Sequence, residues 1–381
     1  MGVRWMNRVF FDIGVFLYCS EESLDSKSLT SKGSLIVSNN DAFQAFTESN
    51  AGMDPDIVVL LKSLREDGFS LNICDVLPLS QIRDGLKKLG IHEYFDEIVS
   101  AKTIDAMARG LAQTRGRDDF AIVVSSDELI LDAAMREQIP SVSYGWNWKK
   151  TAHLTFSYAR YPLELDDQIH LISLVHTVVK KAILSQARIL GIDGISFAGK
   201  KVFAENLGTY LTLLGKEYTV VDLEDFHRAD EENYKGEDPV EAYYFNGYNN
   251  EKLIEEVLKP FVKQGKLDTV VYCLDSTNDS FANERHYQVP ENGLMILLGT
   301  MMYREPLIRY FDMTIYMRVD YREAEHRASL MEEPLYGEDP LEVYKTRNIP
   351  AQKMYVQRHD PFSDRDFVID NSNYHRPFFI Q

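Results

Sequence analysis

Apolar and polar positions along this chain alternate with two periods. Short apolar runs at 8–18, 71–76, 120–125 and 141–144 read as buried strands, and the stretches 56–65, 80–89 and 127–137 between them carry apolar residues at helical spacing. Strand and helix in turn predict a parallel sheet wrapped by helices. The run 19–54 turns to Ser, Asn, Asp and Glu, the composition of an exposed insertion or small cap. From 166 to 188, Ile169, Ile172, Val175, Val179 and Ile183 recur at helical spacing. Asp166 and Asp167 stand at the start of this stretch and Lys180, Lys181 and Arg188 towards its end, as the helix dipole favours. This helix is expected to open a second domain. Beyond it come a strand at 192–197, a glycine-bearing loop, a helix at 200–214 and a strand at 218–223. A solvated acidic stretch at 227–241, a helix at 253–263, and strands at 269–274 and 294–298 that continue the sheet complete the pattern.

Length and composition narrow this picture. At 381 residues the chain exceeds one ordinary core and predicts two domains, 1–150 and 151–381, with the insertion in the first. No apolar run approaches the roughly 20 residues of a membrane helix, so no membrane partner is expected. The opening MGVRWMNRVFFDIG has no small-residue cleavage site, and a cytoplasmic protein without a secretory leader is the expectation. Cys19, Cys74 and Cys273 lack metal-ligand spacing and read as buried thiols, and the nine histidines form no paired motif, so no metal site is assigned. A net charge of −18 with no stripe of Lys and Arg speaks against nucleic acid as a partner.

The segment GIDGISFAGKKVFAENLGTYL sets Gly194, Gly199 and Lys200 in GxxxxGK spacing between a strand and a helix. Glycines there let backbone N–H groups converge on a phosphate, the lysine adds charge, and the helix turns its positive end to the anion. Downstream, VVDLEDFHR ends a strand in the acidic pair Glu224 and Asp225, followed by Phe226 and His227. DPVEAYYFNGYN and YFDMTIYMRVDYREAEHR follow, and the tail carries Tyr344, Arg347, Pro350, Tyr355, the VIDN run at 368–371 and Pro377.

With these segments the second half resembles the uridine kinase and phosphoribulokinase family. The resemblance implies a P-loop fold that takes ATP or another nucleotide, with Gly194, Gly199, Lys200 and Lys201 at the phosphates. It places Glu224 as the base that accepts the proton of a substrate hydroxyl, Asp225 beside it, and Arg327 as the first arginine of a lid. The chain departs from the pattern where Mg²⁺ would be held. Lys201 replaces the Ser or Thr whose hydroxyl ligates the ion, and an ammonium repels a dication. Leu298-Gly299 replaces Glu-Gly, and Met331 and Glu332 stand where a second lid arginine and an aspartate are expected. Lys200 and Lys201 together are candidates to neutralise a phosphate without metal.

In the first half, RVFFDIGVFLY sets Asp12 at the end of a strand, HEYFDEIVSAK carries Lys102, and AIVVSSDELILDAAMREQIPSVSYGW reads as strand, helix and strand. Residues 7–146 thereby resemble the haloacid dehalogenase superfamily, which implies a Rossmann-like fold with Asp12 as nucleophile and Lys102 as its lysine. Hydrolysis through an aspartyl phosphate needs a second aspartate two residues on, and that position is Gly14. Ser126 and Ile130 replace two metal-binding acids, and Asp127 and Asp132 lie nearby at other spacings.

Together these readings give an α/β chain of two doubly wound parallel-sheet domains, haloacid-dehalogenase-like and then P-loop NTPase-like. Functionally they give a pseudoenzyme, a sensor or scaffold that binds a nucleotide or phosphorylated small molecule and communicates with a protein partner. The alternative is an active ATP-dependent kinase of a nucleoside or other small hydroxyl substrate, with Glu224 or Asp225 as base, Arg327 on the lid and Mg²⁺ on unanticipated carboxylates.

Overall fold

Strands hidden on both faces organise each half of the computed structural model, which describes residues 7–16, 55–115, 120–144, 155–229, 238–275, 280–330 and 340–380. The 19–54 insertion, Cys19, Met331 and Glu332 lie outside the described residues. The first unit contains β1 (Arg8–Phe11), β2 (Ser70–Asp75), β3 (Glu97–Ser100), β4 (Ala121–Ser125), β5 (Ser141–Tyr144) and β6 (Ser157–Ala159). They lie in the order β3-β2-β1-β4-β5-β6 with every neighbouring pair parallel. Every position of β2 and β4 is buried, as in parallel strands covered on both sides. The strand order reverses beside β1, so the crevice at the carboxyl ends of β1 and β4 is where a ligand would sit.

The second unit runs from β7 (Ile189–Gly194) and β8 (Tyr218–Asp222), through β9 (Leu267–Asp275) and β10 (Ser280–Val289), to β11 (Leu294–Gly299), β12 (Met313–Arg318), β13 (Phe367–Asp370) and β14 (Phe378–Phe379). Its main sheet has the order β14-β13-β12-β7-β11-β8, parallel except for β14 against β13. Here the order reverses at β7, which brings the carboxyl end of that strand to the crevice. Gly194, the last residue of β7, pairs with Met317, and a Cβ at Gly194 would overlap the Met317 carbonyl oxygen. Both units are doubly wound α/β domains.

Three features differ from the sequence reading. The units are Met1–His176 and Thr177–Gln381, so the division falls inside the helix Pro162–Leu184 rather than at 150. β6, past residue 150, hydrogen-bonds to β5 and completes the first sheet. That helix begins at Pro162, a residue suited to the first helical turn, where no N–H partner is needed. The strand expected at 192–197 ends at Gly194, and 195–199 form the loop. The strand expected at 269–274 does not continue the main sheet. As β9 it pairs antiparallel with β10 in a separate ribbon, with Leu267, Val271 and Cys273 buried and Val270 and Tyr272 exposed. Such alternation belongs to a ribbon with one wet face. Among the described residues, no helix is long and apolar enough to cross a membrane.

Candidate functional site

At the end of β7 the chain turns through 195–199 into the helix Lys200–Leu213. Phe197 and Gly199 take positive φ values of 64° and 86°. For Phe197 this is an uncommon backbone state, so tertiary contacts must hold it. Among the described hydrogen bonds, none uses the N–H of Phe197, Gly199, Lys200 or Lys201. Lys200 folds back over the loop, its Nζ 2.9 Å from the carbonyl oxygens of Gly194 and Ile195 and 3.4 Å from Thr300 Oγ1. Burial lowers its proton affinity, and the carboxylates of Asp193, Glu224 and Asp222 pull in the other direction. Lys201 is exposed on the first turn of the helix. A cavity of about 460 Å³ opens here, lined by Lys200, Lys201, Asp222, Glu224, His227 and Arg347 among others.

The acidic pair divides. Glu224 lines the cavity, whereas Asp225 is not among the lining residues. Asp225 accepts the Tyr287 hydroxyl and lies 3.4 Å from Arg285 Nε, both on β10. Each carboxylate oxygen of Glu224 has a donor: the Tyr248 hydroxyl at 2.8 Å on Oε1 and His227 Nε2 at 2.8 Å on Oε2. His227 Nδ1 in turn lies 3.0 Å from the Gly247 carbonyl oxygen. With an acceptor at each ring nitrogen, the protonated imidazolium is the form that satisfies both.

Burial lowers the proton affinity of His227, but the Glu224 charge and both hydrogen bonds raise it by more. For Glu224, burial acts upward, and the His227 charge and the two donors win, holding the carboxyl well below its usual range. The His227 contribution to stability is present below its ordinary value of 6.5 and fades as pH rises through the higher folded value. The Glu224 contribution is present above its ordinary 4.5 and fades as pH falls through the lower folded one. The pair is therefore fully formed between about pH 4.5 and 6.5. Because 54% of the Glu224 side chain is exposed, solvent screening keeps its contribution to stability small. In Glu224→Gln, the proton NMR titration midpoint of His227 falls; an unchanged midpoint would contradict this pairing.

Arg327, expected on a lid, is instead built into the loop's support. Its guanidinium donates to the carbonyl oxygens of Phe197 (3.2 Å), Asn371 (2.7 Å) and Ser372 (3.2 Å), and its Nε to Glu323 (2.8 Å). Asn371 Nδ2 donates to the Ala198 carbonyl at 2.8 Å. Gly199 is required at its position both by its φ and because a Cβ there would overlap that amide.

Sequence reasoning missed the residues that brace the loop from below. Asp193 is fully buried and accepts the Tyr355 hydroxyl and the N–H groups of Gly194, Met302 and Tyr303. Gln352, also fully buried, donates to Ser196 Oγ at 2.8 Å and accepts the Ser196 N–H at 3.3 Å. Asp193 precedes the first glycine and so had a local signal; Tyr355 stands in the tail pattern but without this role, and Gln352 had no signal.

In the first unit Asp12 follows β1 and is fully buried. Its Oδ1 accepts the Val15 N–H at 3.1 Å, and its Oδ2 accepts the Ser125 hydroxyl and the Ser126 N–H, the latter at 3.1 Å. Asp75, unremarked in the sequence, ends β2 and accepts the N–H groups of Ile13 and Leu77, both at 2.9 Å. Burial, and next the Asp75 charge, push Asp12 up to about 7. Lys102 is exposed, and no described hydrogen bond or ion pair joins it to Asp12. Asp127 caps the helix Glu128–Arg136, and Asp132 pairs with Arg136 at 3.3 Å. Asp12 is thus held by backbone and serine donors, and Lys102 is not among its described partners.

The surroundings of the loop 195–199 do not fit a resident Mg²⁺. Asp222 caps the turn after β8 through the Glu224 N–H, Glu224 is taken by His227 and Tyr248, and Lys200 and Lys201 stand beside them. Among the described residues, no three His, Cys, Asp or Glu side chains gather around a point where a metal ion could bind.

No protein-family model matches the chain, and no curated protein matches it. Among solved structures, a possible uridine kinase from Bacillus stearothermophilus is similar at 20% identity over 53% of this chain and 97% of that one, with a TM-score of 0.42. A haloacid dehalogenase-like family hydrolase from Streptococcus pneumoniae is similar at 19% identity over 42% of this chain and 96% of that one, with a TM-score of 0.31. At these identities the likeness is one of fold.

Proposed function

We propose that the second unit binds the phosphates of a nucleotide or phosphorylated small molecule without metal, and that the chain serves as a sensor or scaffold read by a protein partner. The observation that carries this is the loop 195–199 with the start of the helix after it: four N–H groups without described acceptors, two in the loop and two at Lys200 and Lys201, positive φ at Phe197 and Gly199, and Lys200 held over the turn. Converging N–H groups at a helix start favour an anion. Lys200 and Lys201 supply charge, and Arg347 and the His227 imidazolium line the same cavity. Glu224 supports a role in binding over one in proton transfer, because both its oxygens already accept hydrogen bonds.

The test is calorimetric titration of ATP, with and without Mg²⁺, into the intact protein and into Lys200→Ala. Binding is expected to be indifferent to Mg²⁺. It should weaken about 100-fold in Lys200→Ala, the loss of one or two charge-assisted hydrogen bonds of roughly 1.5–3 kcal/mol each. Mg²⁺-dependent binding with ATP turnover would replace this reading with that of a kinase using Glu224, and no binding would remove it.

A further inference from the structure

A second cationic cluster lies on the same unit, away from the loop. Tyr244, only 3% exposed, belongs to the helix Pro239–Asn246. The Arg304 guanidinium carbon lies 4.6 Å from the centre of its ring and that of Arg358 lies 5.2 Å away. Among the described rings, Tyr244 alone carries two guanidiniums. Its hydroxyl hydrogen-bonds His359 Nε2 at 2.8 Å. The four side chains come from three segments: that helix, the loop after β11, and the end of the helix Ile349–His359.

Stacking occupies the face of a guanidinium and leaves its fork of N–H donors at the edge. Neither Arg304 nor Arg358 makes a described side-chain hydrogen bond or ion pair, whereas Arg309 pairs with Glu305, Arg318 with Asp370 and Arg327 with Glu323. Carboxylates are plentiful in a chain of net charge −18, yet none lies within ion-pair distance of either guanidinium among the described residues. Burial and then both arginines lower the proton affinity of His359, as expected where two positive charges converge on one ring.

The geometry points to a second anion site formed by Arg304, Arg358 and His359 around Tyr244, which takes a small phosphate-type oxyanion. Two forked donors with free edges, both close enough to His359 to lower its proton affinity, match the oxygens of such a group. The site is separate from the loop, since none of the four residues lines the loop cavity. Its platform is nevertheless adjacent: Tyr243, the preceding residue on the same helix, does line that cavity, and Arg347 stacks on it at 4.8 Å.

Inorganic pyrophosphate titrated calorimetrically into the full chain tests this independently of the loop. The intact protein is expected to bind two equivalents, and Lys200→Ala one. Arg304→Gln with Arg358→Gln is expected to keep only the equivalent that depends on Lys200. If that double variant does not fold, Arg304→Lys and Arg358→Lys, each in the Lys200→Ala background, carry the test. A weakening of at least tenfold in each supports the site. Unchanged stoichiometry and affinity in the arginine variants, or a single equivalent in the intact protein that Lys200→Ala abolishes, overturns it.

Discussion

Asp193→Ala lowers the stability of the second unit by about 3–5 kcal/mol, the range for breaking a buried hydrogen-bonded charge network. Asp193 is fully buried, its carboxylate accepts the Gly194 N–H at 2.8 Å and the Tyr355 hydroxyl, and Met302 and Tyr303 add longer contacts at 3.2 and 3.4 Å. Alanine leaves the Gly194 and Met302 N–H groups and the Tyr355 hydroxyl without this acceptor in a buried place, while the Tyr303 N–H keeps the Tyr355 oxygen at 3.0 Å. It also removes the negative charge that draws protons towards Lys200. Tyr355→Phe is the graded control. It deletes one donor to Asp193 and the acceptor of the Tyr303 N–H at 3.0 Å, and should cost about 1–2 kcal/mol. Chemical denaturation of the full chain checks both, and a loss under 1 kcal/mol for Asp193→Ala would mean the network is replaced by water.

The first unit is expected to lose stability as pH rises from about 4 to 7. Asp12 ionises at its ordinary 3.8 in the unfolded chain and at about 7 in the fold. Across that interval the folded state holds the proton that the unfolded state releases, so the slope of stability against pH is negative, and above pH 7 it levels off. The Asp12 shift alone corresponds to a loss on the order of 4 kcal/mol, and Asp75, also pushed up by burial, acts in the same direction. Asp12→Asn should flatten the slope. Denaturation midpoints at pH 5 and pH 8 decide it, and an equal fall in wild type and variant would assign the effect to other acids.

What was legible in the sequence is what local backbone chemistry dictates. The GxxxxGK spacing located the loop because glycine and lysine there answer to φ and to charge, and continuous apolar runs located β2, β4 and β11 because parallel strands are covered on both faces. The ribbon of β9 and β10 was missed in its role because a short apolar stretch does not reveal its partner. Glu224 was found, but its occupation by His227 and Tyr248 was not, since Tyr248 lies 24 residues away and only the fold closes that distance. Asp75 became visible only when the register of β1 and β2 set Phe11 beside Ile73, bringing the two strand ends together. Arg327 shows the converse: its place in a motif suggested a lid, and its four contacts make it part of the loop's wall.

The bracing of the loop also has a consequence for the order in which the protein is made. The Asn371 amide that holds the Ala198 carbonyl lies 173 residues further along the chain, and Tyr355 lies 162 residues beyond Asp193. At roughly 5–20 residues per second, a nascent chain waits about ten to thirty seconds between emergence of the loop and emergence of its last support. Through that interval the turn at 195–199 is exposed at the ribosome without the contacts that set Phe197 in its uncommon backbone state. The braced loop is thus among the last parts of the second unit to be completed during synthesis.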